Sequence, residues 1–497
     1  MTASFQDQNS ASGRAVAIRK VPTGIRGFDS ILMGGLPAGR TTLLSGGPGT
    51  GKTVFGLEFL HRGAEAGEPG IFVTFEERAE AVRDNARALG LGVEALEEAG
   101  QFVIVDADVP PELVLSGEFS IDGLLAILAG QAEAMGARRI VVDAVDVLIR
   151  IFQEPMRQQN QFQVLHNWLH DQGLTAVVTA KAVPDQLDQH PFLDFMADCV
   201  IRMDQRVVGQ INTRRLRVLK YRGSGFLDNE YPYVIEADGL VLMPVSTADL
   251  SHQPLGERIS AGGDELDAIL GGGFRRASSV LLAGGSGTGK TTLACTFALA
   301  ACQRSERALY ISFEESQEAL VSSLLSPGLD MRPALASGRL KILTAMPESM
   351  GVEHHLLRIF HAIDQFEPDH VIVDAISACS RMGSDQGAFD FLVRVVTWCK
   401  SRGITFVCTN QIARVSNPDE ISGFGISSLV DTLVLLEQIH APAYERRILV
   451  IKSRGSIHSH DYHSFAITDR GVSFALPQRE GAGPGGAADA DARGGER

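Results

Sequence analysis

Two octapeptides repeat one spacing of glycine, lysine and threonine: Gly46-Gly47-Pro48-Gly49-Thr50-Gly51-Lys52-Thr53 and Gly284-Gly285-Ser286-Gly287-Thr288-Gly289-Lys290-Thr291. Both read G-x-x-x-x-G-K-T, a loop built to wrap phosphate. Glycines let successive backbone N–H groups turn toward one anion. Lys52 and Lys290 are placed to reach β- and γ-phosphates, and the hydroxyls of Thr53 and Thr291 to hold Mg²⁺. The apolar run Ser279-Val280-Leu281-Leu282-Ala283 predicts a buried strand before the second loop, and Thr292 to Ala300 predicts a helix after it. Strand, loop and helix in that order place bound phosphate at a helix N-terminus. Thr42-Leu43-Leu44-Ser45 precedes the first loop in the same way.

Further acids follow each loop. Phe75-Glu76-Glu77 and Phe313-Glu314-Glu315 end apolar runs, and the strands Arg139–Asp143 and His370–Asp374 each end in aspartate. Asp143 and Asp374 fit the Walker B position, where a carboxylate organises Mg²⁺ and water. A glutamate beside them suits polarising an attacking water or hydroxyl. The plainer reading of the glutamates is a solvated strand end, and their recurrence after each loop favours the catalytic one. Two basic strands close the pattern, Arg214 to Gly223 and Arg446 to Gly455. Lys220 with Arg222, and Lys452 with Arg454, are two residues apart, a spacing that turns both heads to one side. The pairs suit one shared anion, such as a phosphate across a subunit boundary, although basic strand ends are common without such a role.

The elements that must hold these groups recur as one block. Lys52 and Lys290 lie 238 positions apart, and Asp29/Asp267, Gly35/Gly273 and Glu76/Glu314 keep that offset. A repeat this long is a duplicated whole domain rather than a solenoid unit. Strands such as Thr175–Thr179 and Ile404–Gln411 alternate with helical stretches, 158–172 and 390–401 among them. This predicts an α/β fold in each copy, a mainly parallel sheet with helices on both faces. The expected boundaries are a disordered tail at 1–15, a first domain at 16–245, a linker at 246–256, a second domain at 257–476 and a disordered Gly/Ala/Asp tail at 477–497.

Composition sets outer limits. The 497 residues suffice for two ordinary domains, and 44% are apolar, as in globular chains. A formal charge of -15 gives no global basic field toward nucleic acid or membrane, though a local basic channel stays open. Six cysteines without C-x-x-C spacing read as reduced core residues of a cytoplasmic protein. No apolar signal core or bilayer-length run is present. His354, His355, His458, His460 and His463 lack the spacing of a metal site.

The whole arrangement resembles the KaiC family, double-domain RecA-like ATPases and autokinases, over about 16–474. The resemblance rests on both P-loops, both Phe-Glu-Glu triplets, Lys220-Tyr221-Arg222-Gly223, Lys452-Ser453-Arg454-Gly455-Ser456 and the stretch Asp374 to Arg381. It implies two tandem RecA-like P-loop NTPase domains that use ATP and Mg²⁺ and assemble as a homohexamer with nucleotide at subunit interfaces. The first domain would hydrolyse ATP. The second would phosphorylate Ser427 and Ser428, which stand shortly before Asp431 where clock members carry Ser-Thr. Read alone, that segment is a serine-rich loop. By the same resemblance Glu314 is the general base with Glu315 beside it, as Glu76 and Glu77 are in the first domain, and Arg381 contacts the phosphosites. Nucleotide contacts would come from Gly49, Thr50, Gly51, Lys52, Thr53, Lys220, Tyr221, Arg222 and Ser224, and from Gly287, Thr288, Gly289, Lys290, Thr291, Thr292, Arg446, Lys452, Arg454, Ser456 and His458. Pro327 replaces a large aromatic near the second site. The tail lacks the family's KaiA segment, which points to regulation without KaiA and leaves a KaiB-like partner or a signalling output protein open. The alternatives are a RecA/RadA-like DNA-stimulated motor, which lacks its zinc-type cysteines here, and an ATP-gated scaffold without kinase activity.

Overall fold

The computed structural model describes residues 18–107, 121–152, 154–182, 191–208, 211–242, 253–382, 385–412, 428–440 and 444–474. The expected tails, most of the linker, Ser427 and the segment 413–427 lie outside the described residues. The described residues divide into two compact units, those of 1–250 with 348–360 and 381–394, and those of 251–347, 361–380 and 395–497.

The first unit is built on a nine-stranded sheet. Its strands are β1 (Thr41–Gly46), β2 (Gly70–Thr74), β3 (Phe102–Asp106), β4 (Arg139–Asp143), β5 (Thr175–Lys181), β6 (Cys199–Val208), β7 (Ile211–Tyr221), β8 (Glu230–Glu236) and β9 (Gly239–Leu242). Across the sheet the order is β9-β8-β7-β6-β1-β5-β4-β2-β3. The six strands from β6 to β3 in that order pair in parallel, and β7, β8 and β9 extend the edge as an antiparallel meander.

Parallel strands buried on both faces read as continuous apolar runs. Here alternate residues feed two cores. Leu44, Phe72, Val141 and Val177 enter one, while Leu43, Ile71, Val73, Ile140, Val142 and Val178 enter the other. Each such side chain stabilises the fold by about 1.5–3 kcal/mol relative to exposure.

The second unit repeats the plan. Its strands are β10 (Ser279–Gly284), β11 (Ala308–Ser312), β12 (Leu340–Thr344), β13 (His370–Asp374), β14 (Thr405–Gln411), β15 (Thr432–Ile439), β16 (Glu445–Ser453), β17 (His463–Thr468) and β18 (Gly471–Phe474). The order β12-β11-β13-β14-β10-β15-β16-β17-β18 matches the first sheet strand for strand. The six-strand parallel part follows from the sequence pattern. The two outermost antiparallel strands of each sheet do not, because short half-exposed runs such as Gly471–Phe474 carry little periodicity.

All six cysteines are free and buried. Among the described residues no helix is long and apolar enough to cross a membrane.

Candidate functional site

Each P-loop leaves the central parallel strand and runs into a long helix, α1 (Lys52–Glu65) after β1 and α3 (Lys290–Gln303) after β10. The helices begin where glycine permits. Gly51 (φ 89°) and Gly289 (φ 100°) cap them in the left-handed region, which other residues adopt at a cost. A Cβ on Gly51 would also lie 2.7 Å from Ile235 Cδ1. The loops are tied by their own side chains: Thr50 Oγ1 donates to Gly47 O (2.8 Å) and Thr288 Oγ1 to Gly285 O (2.9 Å).

The lysines fold back over these loops. Lys52 Nζ donates to Gly46 O (2.7 Å) and Gly47 O (2.9 Å). Lys290 Nζ donates to Gly284 O (3.0 Å) and Gly285 O (2.7 Å). Burial lowers the pKa of both ammonium groups, opposed by Asp143, Asp146 and Glu76 at Lys52 and by Asp374 and Glu314 at Lys290. Half-buried cations aimed along a loop of N–H groups make a cradle for a polyphosphate.

The two aspartates expected at the Walker B position, Asp143 and Asp374, stand at the ends of β4 and β13. Asp143 accepts hydrogen bonds from Thr53 Oγ1 (2.7 Å) and from Thr179 Oγ1. Asp374 accepts from Thr409 Oγ1 and from the phenol of Tyr310 (2.6 Å). The donors gathered here are carboxylate and hydroxyl oxygens, hard ligands that fit Mg²⁺. Thr179 and Thr409 sit inside apolar strands, so the sequence pattern hides them as core filler.

Strands β2 and β11 stop at Thr74 and Ser312, ahead of the paired glutamates. In each copy a hydroxyl ties the turn: Glu77 N–H donates to Thr74 Oγ1 (3.2 Å), and Glu315 N–H to Ser312 Oγ (3.0 Å). All four glutamates are exposed. Glu76 pairs with Lys181 and lies 3.7 Å from Arg150, while Glu77 turns away to accept from Asn85 Nδ2 (2.8 Å). Gly46 pairs with Lys181, and Gly284 with Gln411. Neutral Gln411 therefore stands where the first unit has a lysine.

A family profile described as "ATPase: KaiC" matches residues 21–247 and 259–479. The chain belongs to the KaiC family. It is 38% identical over 468 residues to "Circadian clock protein KaiC2" of Synechocystis sp., covering 93% of this chain and 82% of that protein. It is 32% identical over 468 residues to "Circadian clock protein KaiC3" of the same organism, covering 93% of each. It is 34% identical over 460 residues to "Circadian clock oscillator protein KaiC" of Synechococcus elongatus, covering 92% and 89%. Two mainly parallel sheets with one topology agree with tandem RecA-like KaiC domains, and membership of an ATPase family implies nucleotide binding.

The basic strands of KaiC type behave alike in the two units. A β-bulge between Val200 and Ile201 in the first sheet, and between Leu433 and Val434 in the second, re-aims the strand end next to Lys220 and Lys452. Lys220 Nζ donates to Asp194 O and Phe195 O (both 2.8 Å), and Arg222 Nη2 to Phe195 O (2.6 Å), near the C-terminal end of α2 (Phe192–Met196). Lys452 Nζ donates to Val430 O (2.9 Å) and Arg454 Nη2 to Ser428 O (3.1 Å). In the first unit the two heads share Phe195 O, whereas in the second they reach separate carbonyls. Arg214 Nε and Arg446 Nε each reach a P-loop carbonyl, Gly49 O and Gly287 O, both at 3.2 Å.

The Tyr221 side chain is buried, and its hydroxyl donates to Gly35 O (3.0 Å), which leaves its backbone to face any ligand. Ser224 Oγ donates to Gly225 O (3.0 Å), and His458 Nδ1 meets Ser459 O (2.9 Å). Ser456 Oγ is buried with no hydrogen-bond partner among the described residues. Arg381 pairs with Glu348 at 3.2 Å. Thr291 and Thr292 occupy the first turn of α3. Ser428 is exposed.

Proposed function

We propose that the chain is a Mg²⁺-dependent ATPase and serine autokinase, hydrolysing ATP in its first domain and phosphorylating its own Ser427 and Ser428 from its second. The observation that carries the reading is the lysine folded over each P-loop, Lys52 and Lys290, with a hydroxyl-bound aspartate at the end of the neighbouring strand, Asp143 and Asp374. Glu314 accepts the proton of the serine Oγ as that oxygen bonds to the γ-phosphorus and the bond to the ADP oxygen breaks. Glu315 stands beside it. Lys290 neutralises charge on the phosphates, and the Gly287 to Thr292 segment presents N–H groups to them. Thr53 with Asp143, and Thr291 with Asp374, would hold Mg²⁺, which supplies further charge neutralisation when bound.

The reading extends to assembly. Lys220, Arg222 and Ser224, and Arg446, Lys452, Arg454, Ser456 and His458, would meet nucleotide across subunit boundaries of a homohexamer in the cytoplasm. Arg381 would contact the phosphosites. The domains would run over 16–245 and 257–476. The relatives carry the names of circadian clock proteins, and we carry over a role in timing signalling, with a KaiB-like protein or an output protein as partner and without KaiA. The test is incubation of the full chain with γ-labelled ATP followed by phosphosite mapping. Label on Ser427 or Ser428, lost in Lys290→Ala, is expected. Sustained ATP hydrolysis with neither serine labelled refutes the kinase half.

A further inference from the structure

The duplicated Walker B sites differ in one buried contact. In the first unit Asp143 Oδ2 takes its hydrogen bond from Thr53, the threonine that follows the P-loop lysine (2.7 Å). In the second unit the corresponding oxygen, Asp374 Oδ2, takes its bond from the phenol of Tyr310 (2.6 Å). No bond between Thr291 and Asp374 exists among the described residues. The other oxygen is held alike, by Thr179 and Thr409.

The difference is written into two linked positions. At the 238-residue offset Tyr310 corresponds to Phe72 and Cys295 to Leu57. All four are buried. Tyr310 and Phe72 face α3 and α1 from the middle of β11 and β2. The first unit thus has an apolar pair behind its carboxylate, and the second a thiol next to a phenol. The polar pair is not idle: a buried hydroxyl needs a partner, and the one it has is the metal-site carboxylate.

We propose that Tyr310 is a positioning residue for the second metal site, fixing Asp374 from inside the sheet, where the first unit has Phe72 and fixes Asp143 through Thr53 instead. The inference rests on the reading of Asp374 as the carboxylate that orders Mg²⁺.

The test measures binding of a fluorescent ATP analogue to the full chain as Mg²⁺ is titrated, with Lys52→Ala silencing the first site. Tyr310→Phe, which restores the residue of the first unit, is expected to raise the half-saturating Mg²⁺ concentration about tenfold, the low end of the loss when a residue behind a metal ligand is removed. Affinity for the analogue in EDTA should stay within about twofold, because the tyrosine acts through the metal ligand and a purely structural defect would move both. An unchanged Mg²⁺ requirement in Tyr310→Phe, with Asp374→Asn strongly shifted, overturns the inference alone. An unchanged requirement in Asp374→Asn overturns the metal reading beneath it.

Discussion

Lys181, the last residue of β5, places its ammonium on the carboxylate of Glu76. The same register position in the second unit is Gln411. Two sites of one ancestry therefore differ in charge at the end of the strand that pairs with the P-loop strand.

Exchanging that position should move activity between the units. A cation introduced at that strand end adds positive charge near the place where a proton must be taken up. Gln411→Lys is thus expected to slow labelling of Ser427 and Ser428 about tenfold, read in single-turnover assays with labelled ATP. Lys181→Gln, with Lys290→Ala silencing the second site, should raise first-unit hydrolysis at pH 7. Unchanged rates in both variants would remove the electrostatic account of the division.

The P-loop lysines separate the sites more bluntly. Lys290→Ala should abolish serine labelling, a loss of at least about 100-fold, by analogy with removal of one charge-stabilising donor. First-unit hydrolysis should persist. Lys52→Ala should do the reverse. Parallel loss of both activities in either variant contradicts the assignment of separate tasks.

Much of this was legible in the chain. Lys52 and Lys290 identify their loops by spacing, and Asp143 and Asp374 identify themselves by ending apolar runs. The 238-residue offset announces the duplication. What stayed hidden is the chemistry carried by residues inside strands. Thr179, Thr409 and Tyr310 read as β-formers, because nothing in a period of two says which hydroxyl meets a carboxylate from a neighbouring strand. Lys181 lies about 100 positions from Glu76, and only parallel pairing brings them together.

Acid should weaken the second unit through Glu306. Its carboxylate meets Arg276 Nη2 (2.5 Å), His370 Nε2 (2.9 Å) and Arg304 Nη2 (3.0 Å). Burial works against ionisation, but the bonds from His370 and Arg276 prevail and hold its pKa at about 2. The folded value lies below the unfolded one, so the contribution is complete above about pH 5 and disappears as pH falls toward 2. Glu306→Gln should cost about 2 kcal/mol at pH 7 by urea unfolding, and the gap to wild type should narrow with acid. A gap that is constant from pH 7 to pH 3 would contradict this.

Gly239→Ala should destabilise the first unit. Gly239 has φ 116°, and an added Cβ would lie 2.3 Å from Oε2 of buried Glu58, the atom that accepts Leu240 N–H at 2.8 Å. Strain and a displaced buried carboxylate together predict a loss of about 2–4 kcal/mol, measurable as a lowered urea midpoint. A loss under about 0.5 kcal/mol would refute the contact.

Arg214 and Arg446 give the basic strands a second reach. One end of β7 grips the carbonyl of Gly49, and the far end, at Lys220, grips the last turn of α2. β16 joins Gly287 to the carbonyl of Val430 in the same manner. A stiff rod clasped at both tips cannot be pulled at one without the other feeling it. Whatever reshapes a loop when phosphate arrives will therefore tug on the opposite margin of the sheet, and in the second unit that margin adjoins Ser428.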